Sequence, residues 1–318
     1  MRETGVDKTR YVLVTAAHNE EAFIETTILS IVLQTLPPAE WVIVDDASTD
    51  RTAEIVRIYA CEHSFIHLLR LPGGHPPDFA AQVHAINAGL NLLKATAYEF
   101  VGNVDADISF VPSYFERLLE KFRGNVNLGL AGGFLQEKEG ARFKLRSGNT
   151  SGSVPHGIQF FRRECFQAVQ GYAPFKYGAP DWHAEVCARM KGWHVRAFPD
   201  LKAFHHRSTG SVSGLVNYFY RSGLSAYSLG SDPLFEILKS LHRFKERPRI
   251  VGGLARLAGF ATGYLQGEQR EASHQFMEFL RQEQRERLFL VFRNALTRSR
   301  RSPASLDTSE LPRERTSP

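Results

Sequence analysis

The first 125 residues alternate between short apolar runs and longer segments with helical spacing. The apolar runs are typical of strands, and they fall at residues 11–16, 41–46, 65–71 and 101–104. Helical patterns separate them at residues 19–34, 48–60 and 79–95. Strands that alternate with helices of this length form βαβ units, whose neighbouring strands run parallel. The sequence therefore predicts an α/β fold with a Rossmann-like, mainly parallel mixed sheet flanked by helices.

Capping signals predict where individual helices begin. Asn19, which two glutamates follow, is a candidate N-cap for the first helix. Pro112 suits the first position of the helix after the fourth strand. Asp232 and Pro233 combine both signals at the start of a later helix. The apolar residues of that helix lie on one stripe: Leu234, Ile237, Leu238 and Leu241.

The residue pattern of the chain changes twice after the alternating region. Beyond about residue 125, frequent glycines interrupt short strand-like pieces and leave long loops, which often carry binding surfaces. From residue 233 the pattern is helical, and residues 302–318 are polar and rich in proline and serine. We therefore predict an α/β domain at 1–232, a basic helical extension at 233–301 and a disordered tail at 302–318.

Bulk properties limit the possible settings of the protein. Its three cysteines, Cys61, Cys165 and Cys187, fit neither a metal pattern nor a disulfide framework, which favours a reduced, cytoplasmic setting. The polar start predicts no secretory signal, and no apolar run is long enough to span a membrane. Residues 233–301 hold 14 basic and 7 acidic residues, so the positive excess predicts an anionic partner there.

Three acidic clusters occur in a fixed order along the chain. Asp45 and Asp46 end the second strand, and Asp105-Ala-Asp107 follows the fourth. Carboxylates at the carboxyl ends of parallel strands lie in the crevice where open α/β sheets bind ligands. On extended backbone the two acids of Asp-x-Asp point the same way, so they can share a Mg²⁺ or Mn²⁺ that neutralises a diphosphate. Asp181, about 74 residues later, then remains available as a base.

Each of these residues also has a structural interpretation. Asn19, Asp46 and Asp181 are residue types that cap helices. His205 and His206 end a strand-like run that begins at residue 194. Adjacent residues on a strand point to opposite faces, so we expect at most one of the two to bind a metal. The sequence contains neither Gly-x-Gly-x-x-Gly after the first strand nor a Walker A motif, which argues against dinucleotide redox and P-loop chemistry.

Taken together, the motifs resemble those of the family 2 glycosyltransferases with the GT-A fold. The matching segments are Ala17-His-Asn-Glu20, Asp45-Asp-Ala-Ser-Thr-Asp50, Ala85-Ile-Asn-Ala-Gly89, Val104-Asp-Ala-Asp107, Phe161-Arg-Arg-Glu-Cys-Phe166, Gly171-Tyr172 and Pro180-Asp-Trp182. The resemblance extends over residues 10–210. A finer similarity, to bacterial transferases of surface and exopolysaccharide assembly, comes from Phe204-His-His-Arg-Ser-Thr-Gly-Ser211 and Arg281-Gln-Glu-Gln284.

The resemblance implies an inverting, metal-dependent transfer of one sugar from a nucleotide-diphospho-sugar, with a UDP, GDP or dTDP carrier. It implies that five residues bind this donor: Ala16, Asn19, Glu20, Asp46 and Asp105. Asp46 would contact the base and Asp105 the ribose or the metal region. Asp107 would bind Mg²⁺ or Mn²⁺ together with His205 or His206, and Asp181 would be the catalytic base. The implied acceptor is a lipid-linked saccharide in surface or exopolysaccharide synthesis.

The sequence departs from the family pattern in two places. The family commonly has Gly-Lys ahead of the Ala-x-Asn-x-Gly helix, whereas this chain has Phe79-Ala-Ala-Gln82, which removes a usual phosphate contact. It also lacks Gln-x-x-Arg-Trp, which argues against a processive synthase. Two other classes remain open. A polyprenyl-phosphate sugar synthase would not need Asp181 as a base, and a non-catalytic nucleotide-sugar-binding assembly protein would not need the intact acidic set.

The basic extension has two interpretations. Its helices pack on the catalytic domain or on a second subunit, or they lie on the anionic cytoplasmic face of a membrane, which suits a lipid-linked acceptor. Basic residues lie beside apolar ones at Lys239, Arg243, Lys245, Arg247, Arg249 and Arg256, and arginines flank residues 288–292. Nucleic acid is not an expected partner, because Glu246, Glu278, Glu283 and Glu286 interrupt the basic run.

Overall fold

The structure is a computed structural model that describes residues 10–73, 79–207, 214–245 and 248–299. One nine-stranded mixed sheet forms its centre. The strands are β1 (Tyr11–Ala17), β2 (Glu40–Asp46), β3 (Ile66–Leu71), β4 (Phe100–Asn103), β5 (Ile108–Phe110), β6 (Leu128–Glu139), β7 (Arg142–Leu145), β8 (Phe160–Arg162) and β9 (His194–His205).

The helices follow the strands in the alternation that the sequence predicts. They are α1 (Ile24–Val32), α2 (Thr52–Glu62), α3 (Phe79–Leu92), α4 (Tyr114–Arg123), α5 (Arg163–Val169), α6 (Pro180–Met190), α7 (Leu215–Ser228), α8 (Pro233–His242), α9 (Arg249–Leu265) and α10 (His274–Ser299). Two short 3-10 helices, His156–Ile158 and Arg243–Lys245, complete the described elements.

The strand order explains how the acidic segments meet. The order along the sheet is β3-β2-β1-β4-β8-β6-β9-β5, and β7 pairs with β6 outside this path. Strands β3, β2, β1 and β4 run parallel to one another. The carboxyl ends of β1, β2 and β4 therefore lie at one edge of the sheet, where open α/β folds bind ligands. The predicted α/β architecture is confirmed.

The first strands are apolar throughout because both faces of the sheet are covered. Nearly every residue of β1 and β2 is buried, and Tyr11, Trp41 and Ile43 have no exposed surface. Strands that helices cover on both faces have continuous apolar runs instead of an alternation. This is why the sequence predicts their bounds to within one residue.

Two predicted helix starts are wrong. Helix α1 begins at Ile24, and Asn19 lies in the preceding turn with a positive φ of 55°, so it is not an N-cap. Helix α4 begins at Tyr114, two residues beyond Pro112. The predicted cap of α8 is confirmed, because Asp232 Oδ1 accepts hydrogen bonds from the backbone N–H groups of Leu234 and Phe235.

The C-terminal helices pack on the α/β domain and on each other. Phe276 and Leu280 of α10 pack with Phe175 and with Val186 of α6 in a second core. Helix α7, which precedes residue 233, packs closely on α9, which follows it. The division of the chain at residue 232 stays a prediction, and the proposed tail at 302–318 lies outside the described residues. Within the described ranges, no helix has the length and hydropathy needed to cross a membrane.

Candidate active site

The loops after β1 and β2 are joined to each other at the sheet edge. The Asn19 backbone N–H donates to Ser48 Oγ over 2.9 Å, and Asn19 Oδ1 accepts the Thr49 backbone N–H over 2.8 Å. The Glu20 backbone N–H donates to Thr52 Oγ1 over 2.7 Å. Ala16 precedes this turn and pairs with Val44 in the parallel ladder. Asn19 therefore holds the two loops together across 30 residues of sequence, which no local pattern reveals.

The doubled aspartate at the end of β2 divides into two environments. Asp45 is fully buried, accepts the Ser48 backbone N–H over 3.2 Å and pairs with Arg70 Nε at 2.9 Å. Asp46, the last residue of β2, is only partly buried. Asp45 thus fixes the turn, and Asp46 remains the residue of this pair available to a ligand at the strand end.

Glu20 lies in a cluster of opposite charges beside the Asp-x-Asp segment. Its carboxylate accepts a hydrogen bond from Arg207 Nη2, and Arg207 Nε lies 3.7 Å from Asp107 Oδ2. Burial raises the pKa of Glu20 to about 7, Arg207 partly offsets this rise, and the Asp107 carboxylate adds to it. Arg207 consequently supplies positive charge between two carboxylates that would otherwise repel each other.

The Asp105–Asp107 segment is a turn and not the extended backbone that the sequence predicts. The Ile108 backbone N–H donates to Asp105 O over 3.3 Å, which closes the turn. The two acids consequently have different protein partners. Asp107 contacts His205 and Arg207, whereas Asp105 contacts Gln82 and His156.

Asp105 approaches the 3-10 helix at residues 156–158 very closely. A Cβ atom on Gly157 would lie 2.3 Å from Asp105 Oδ2, so only glycine fits at this position. His156 Nδ1 lies 3.4 Å from Asp105 Oδ1, and Gln82 Nε2 donates to the same oxygen over 3.3 Å. Burial acts to raise the pKa of Asp105, but His156, together with His205 and Asn103, outweighs this effect, and the net pKa is lowered. Gln82 comes from the segment that departs from the family pattern.

His156 is a polar residue of the site to which no sequence motif points. Its ring packs on Tyr172 with the ring centroids 5.0 Å apart, and the Asn103 side chain donates to its backbone oxygen over 3.0 Å. The Nε2 atom is buried and has no hydrogen-bond partner among the described residues. Burial acts to lower the pKa of His156, but Asp105 and the charge of Asp181 reverse the effect and raise it.

The two adjacent histidines at the end of β9 have separate surroundings. His205 Nε2 lies 3.3 Å from Asp107 Oδ2, and His205 Nδ1 lies 3.9 Å from Glu137 Oε1, beyond hydrogen-bond distance. His206 Nε2 instead contacts Ser109 Oγ at 2.8 Å. Burial acts to lower the pKa of His205, but the two carboxylates outweigh it and raise that pKa to about 9.

The donor atoms beside Asp107 suit a divalent cation. No group of three or more His, Cys, Asp or Glu side chains able to hold a metal occurs in the part of the chain that the structure describes. Asp107 and His205 nevertheless bring a carboxylate and an imidazole together. Mg²⁺ and Mn²⁺ are often bound by one or two protein ligands, with substrate phosphates and water as the others. The two residues therefore fit such a cation.

Asp181 lies in the first turn of α6. The helix begins at Pro180, its N-cap is Ala179 with a φ of 69°, and no side chain caps it. The capping interpretation of Asp181 is therefore wrong. Gln159 Nε2 donates to the Asp181 backbone oxygen over 3.3 Å, and Tyr172 Oη donates to Gln159 Oε1 over 2.9 Å. These bonds connect the start of α6 to the segment that holds His156.

Glu185 follows Asp181 by one helical turn and is buried. Its Oε1 accepts the Val154 backbone N–H over 2.6 Å and the Ser153 hydroxyl over 3.0 Å. Burial raises the pKa of Glu185 to about 8, and the nearby Asp181 charge adds to this rise. The acid therefore binds a proton more tightly in the folded protein than in the unfolded chain, whose glutamates titrate near 4.5.

We expect Glu185→Gln to stabilise the protein by an amount that grows as the pH rises from 4.5 to about 8 and is then constant. Stability from protonated Glu185 is fully present below pH 4.5 and is lost as the pH rises through about 8. Glutamine keeps the accepting oxygen and cannot ionise, so Tm should exceed that of the parent by roughly 2–4 °C at alkaline pH. Thermal unfolding of both proteins at pH 5 and pH 9 measures this difference. An equal difference at the two pH values would contradict the buried titration.

Comparisons with known proteins bear on this site. The family described as "Glycosyl transferase family 2" matches residues 12–179 of the 318, which is more than half of the chain. The uncharacterized glycosyltransferase EpsJ of Bacillus subtilis is 30% identical over 131 residues, which are 41% of this chain and 35% of the relative. The poly-beta-1,6-N-acetyl-D-glucosamine synthase of Staphylococcus epidermidis is 29% identical over 119 residues, 37% and 26% of the two chains. The chain thus spans about a third or less of these relatives.

Solved structures with a similar fold include two sugar transferases. A mannosyltransferase from Pyrobaculum calidifontis, in complex with GDP-mannose and Mn²⁺, has a TM-score of 0.53 at 18% identity over 91% of this chain and 84% of that one. Residues 1–349 of TarS from S. aureus, in complex with UDP-GlcNAc, have a TM-score of 0.52 at 14% identity, over 81% and 92%. At these identities the likeness concerns the fold, which is that of the GT-A glycosyltransferases.

Proposed function

Because the chain belongs to glycosyl transferase family 2, we propose that it transfers one sugar from a nucleotide-diphospho-sugar to an acceptor hydroxyl with inversion. One observation carries the proposal. Asp46 and the Asp105–Asp107 turn follow parallel strands that end at one edge of the sheet, and Asp181 acts electrostatically on His156, which contacts Asp105. Carboxylates at this edge have the chemistry to bind a nucleotide, a cation and a sugar in sequence along the crevice.

The donor would lie across the ends of β1, β2 and β4. Asp46 would accept N–H groups of the base, and Asp105 would bind the ribose or the metal region. Asn19 and Ala16 would form the floor through the joined loops, and Glu20 would act through its pair with Arg207. The Pyrobaculum and TarS structures bind GDP-mannose and UDP-GlcNAc, which supports a nucleotide sugar with a UDP, GDP or dTDP carrier here.

Asp107 and His205 would hold the cation, Mg²⁺ or Mn²⁺. When bound, such a cation neutralises the diphosphate and so stabilises the leaving group. His206 is the less suitable ligand of the histidine pair, because its Nε2 atom contacts Ser109. The Mn²⁺ in the Pyrobaculum mannosyltransferase structure supports the use of a divalent metal.

Asp181 would be the catalytic base. Its carboxylate takes the proton of the acceptor hydroxyl while that oxygen forms a bond to the anomeric carbon. The bond from this carbon to the diphosphate oxygen breaks on the opposite face, and the nucleoside diphosphate leaves with the electron pair. The anomeric configuration is therefore inverted. Asp181 lies in the first turn of α6 and makes no capping hydrogen bond there, which supports a role other than a helix cap.

His156 would position the transferred sugar. It lies between the donor-side Asp105 and the base Asp181, and its Nε2 atom has no partner among the described residues. A buried donor without a partner costs free energy, so a ligand oxygen at this atom would stabilise the complex. The transferred sugar is the part of the donor that must pass between these two acids.

We expect His156→Phe to weaken binding of the intact nucleotide sugar by about 10- to 100-fold, the loss typical of one hydrogen bond to a charged group. Affinity for the free nucleoside diphosphate should change little, because phenylalanine keeps the ring against Tyr172. Titration calorimetry with both ligands measures the two affinities, and His156→Gln should recover part of the loss. Equal weakening for sugar nucleotide and free nucleotide would instead indicate a structural role for His156.

The acceptor would be a saccharide, carried on a lipid, in surface or exopolysaccharide synthesis. The similarity to a poly-beta-1,6-N-acetyl-D-glucosamine synthase supports polysaccharide synthesis. The missing Gln-x-x-Arg-Trp motif supports addition of a single sugar. We place this reaction in the cytoplasm, at the inner face of the membrane, where the lipid carrier of such an acceptor would be accessible.

Calorimetric titration with UDP-, GDP- and dTDP-sugars, in the presence of Mn²⁺ and then of EDTA, tests the donor site. The proposal predicts that one carrier class binds, and that EDTA weakens its binding. If no nucleotide sugar binds at any cation concentration, the proposed function is wrong. The readout does not require the acceptor to be known.

A further inference from the structure

Helix α8 turns its apolar stripe away from the protein. Leu234, Ile237 and Leu241, which the sequence analysis places on one stripe, are each about half exposed. The opposite side of the helix buries Glu236 and Ser240 instead. A helix that packs on a soluble core normally buries the apolar side and exposes the polar one. The orientation of α8 is therefore the reverse of the usual one.

Helix α9 repeats this reversal along its whole length. Its exposed side is mainly aliphatic, with Arg249 at its start and Tyr264 near its end, and its aliphatic residues are Ile250, Val251, Leu254, Ala258, Ala261 and Leu265. Its buried side holds Arg256 together with small residues, among them Gly259 and Gly263. Positions three, four and seven apart share a helix face, so the exposed residues form one continuous strip.

Polar pairing and close backbone contact hold the inner sides in place. Arg256 Nη2 lies 2.7 Å from Glu236 Oε2, and both side chains are buried. A Cβ atom on Gly259 would lie 1.9 Å from Tyr220 O, so α9 and α7 meet at backbone distance. Paired charges and small residues inside, with aliphatic residues outside, are the pattern of helices that face lipid.

Charge and side-chain chemistry favour lipid over a protein partner. Within the described residues of α8 and α9, Glu236 is the only carboxylate, and it is buried. Arg249 is exposed at the start of α9, and Arg287 of α10 lies close enough to α8 to act on the charge of Lys239. The one hydrogen-bonding side chain on the outward face beside the aliphatic strip, among the described residues, is Tyr264, whose hydroxyl already accepts from Arg270 Nη2, whereas protein interfaces carry about one hydrogen bond per 100–200 Å².

We propose that the outward faces of α8 and α9 dock in the interface of a bilayer that contains anionic lipids. The aliphatic side chains would enter the acyl boundary, and the arginines would contact lipid phosphates. This binding requires neither donor nor acceptor, so it can succeed or fail independently of the proposed transfer reaction. The contact is assigned to the outward positions of α8 and α9 and not to the basic segment at residues 233–301 as a whole.

Vesicle flotation of the full-length protein tests the docking face. The parent should float with phosphatidylglycerol–phosphatidylcholine vesicles in low salt and bind them less well in high salt. The affinity of the double variant Ile250→Asp, Leu254→Asp for the vesicles should be lower than that of the parent by about tenfold or more. The control is Leu33→Asp, Val126→Asp, which changes two exposed aliphatic residues of the α/β domain and should float like the parent.

Three outcomes would overturn the docking face. The parent would stay unbound in low salt, or the Ile250, Leu254 double variant would float like the parent. The third outcome concerns dimers. The parent would elute as a dimer in size-exclusion chromatography, the double variant would elute as a monomer, and vesicle binding would be the same for both. The exposed face would then be the interface with a second copy of the chain. Because both changed side chains are exposed, the variant should fold, and its thermal unfolding verifies this.

Discussion

Asp181→Asn should lower turnover by about 10²–10⁴, the range typical of losing a general base. Asparagine has nearly the size of aspartate and can keep the Gln159 bond, which uses the Asp181 backbone oxygen. It cannot accept the proton of the acceptor hydroxyl, so the attacking oxygen stays weakly nucleophilic. Steady-state kinetics with the donor and its acceptor measure the loss, and donor affinity should remain within about twofold of the parent.

A matched control separates the loss of the base from the loss of one negative charge. Asp200→Asn removes a surface carboxylate that pairs with Arg117 and Lys121, and it should leave turnover unchanged. Normal turnover of Asp181→Asn would instead indicate an acceptor that needs no deprotonation. A phosphate is such an acceptor, and the polyprenyl-phosphate sugar synthase would then be the better assignment.

Asp107→Ala should lower activity by about 10³-fold, because the diphosphate would leave without several kcal/mol of charge stabilisation. The substitution removes the carboxylate that contacts both His205 and Arg207. EDTA should reduce the activity of the parent to a similar level, and excess Mn²⁺ should restore the parent but not the variant. Initial rates of the parent and of the variant, each in EDTA and in excess Mn²⁺, measure the effect.

The control for this loss is a neighbouring residue with no predicted contact to the cation. Ser109→Ala removes the hydroxyl that contacts His206, and it should keep the activity and the Mn²⁺ dependence of the parent. If Asp107→Ala is active, or if the parent turns over fully in EDTA, the reaction does not depend on a cation at this position. Thermal unfolding of each variant excludes a general loss of the fold.

The sheet is the part of the structure that the sequence predicts best. The residues of β1 and β2 are apolar because helices cover both faces of the sheet. The local composition alone therefore indicates that these strands are buried. Asp232 and Pro233 likewise act on the backbone groups next to them, and the helix begins where they predict. A structural feature that depends only on neighbouring residues can be predicted from the sequence without knowledge of the fold.

Other features depend on partners that are distant in sequence. Asn19 has the composition of a helix cap, but its side chain bonds to Thr49, and this contact exists only after β1 and β2 pair. The stripe on α8 is real, yet periodicity does not tell which side of a helix faces the interior. The buried Glu236–Arg256 pair decides this, and its members are 20 residues apart.

The candidate site shows the same division between local and distant causes. The acidic residues at the strand ends are visible in the sequence, because their position follows from the apolar runs before them. His156 follows no motif spacing, and only the approach of its loop to Asp105 brings it into the crevice. The turn at Asp105–Asp107 is also set by a distant contact, since the Asp105 backbone N–H donates to Gly157 O over 3.2 Å.

Release of nucleoside diphosphate, measured across a panel of nucleotide sugars, tests the central claim most directly. The purified protein would be incubated with each donor and a lipid-linked saccharide extract, in Mn²⁺, in Mg²⁺ and in EDTA. The account predicts that one donor releases its nucleotide in the presence of acceptor and a divalent cation, and that EDTA stops the release. Absence of release from every donor, or equal release in EDTA, would contradict metal-dependent sugar transfer by this chain.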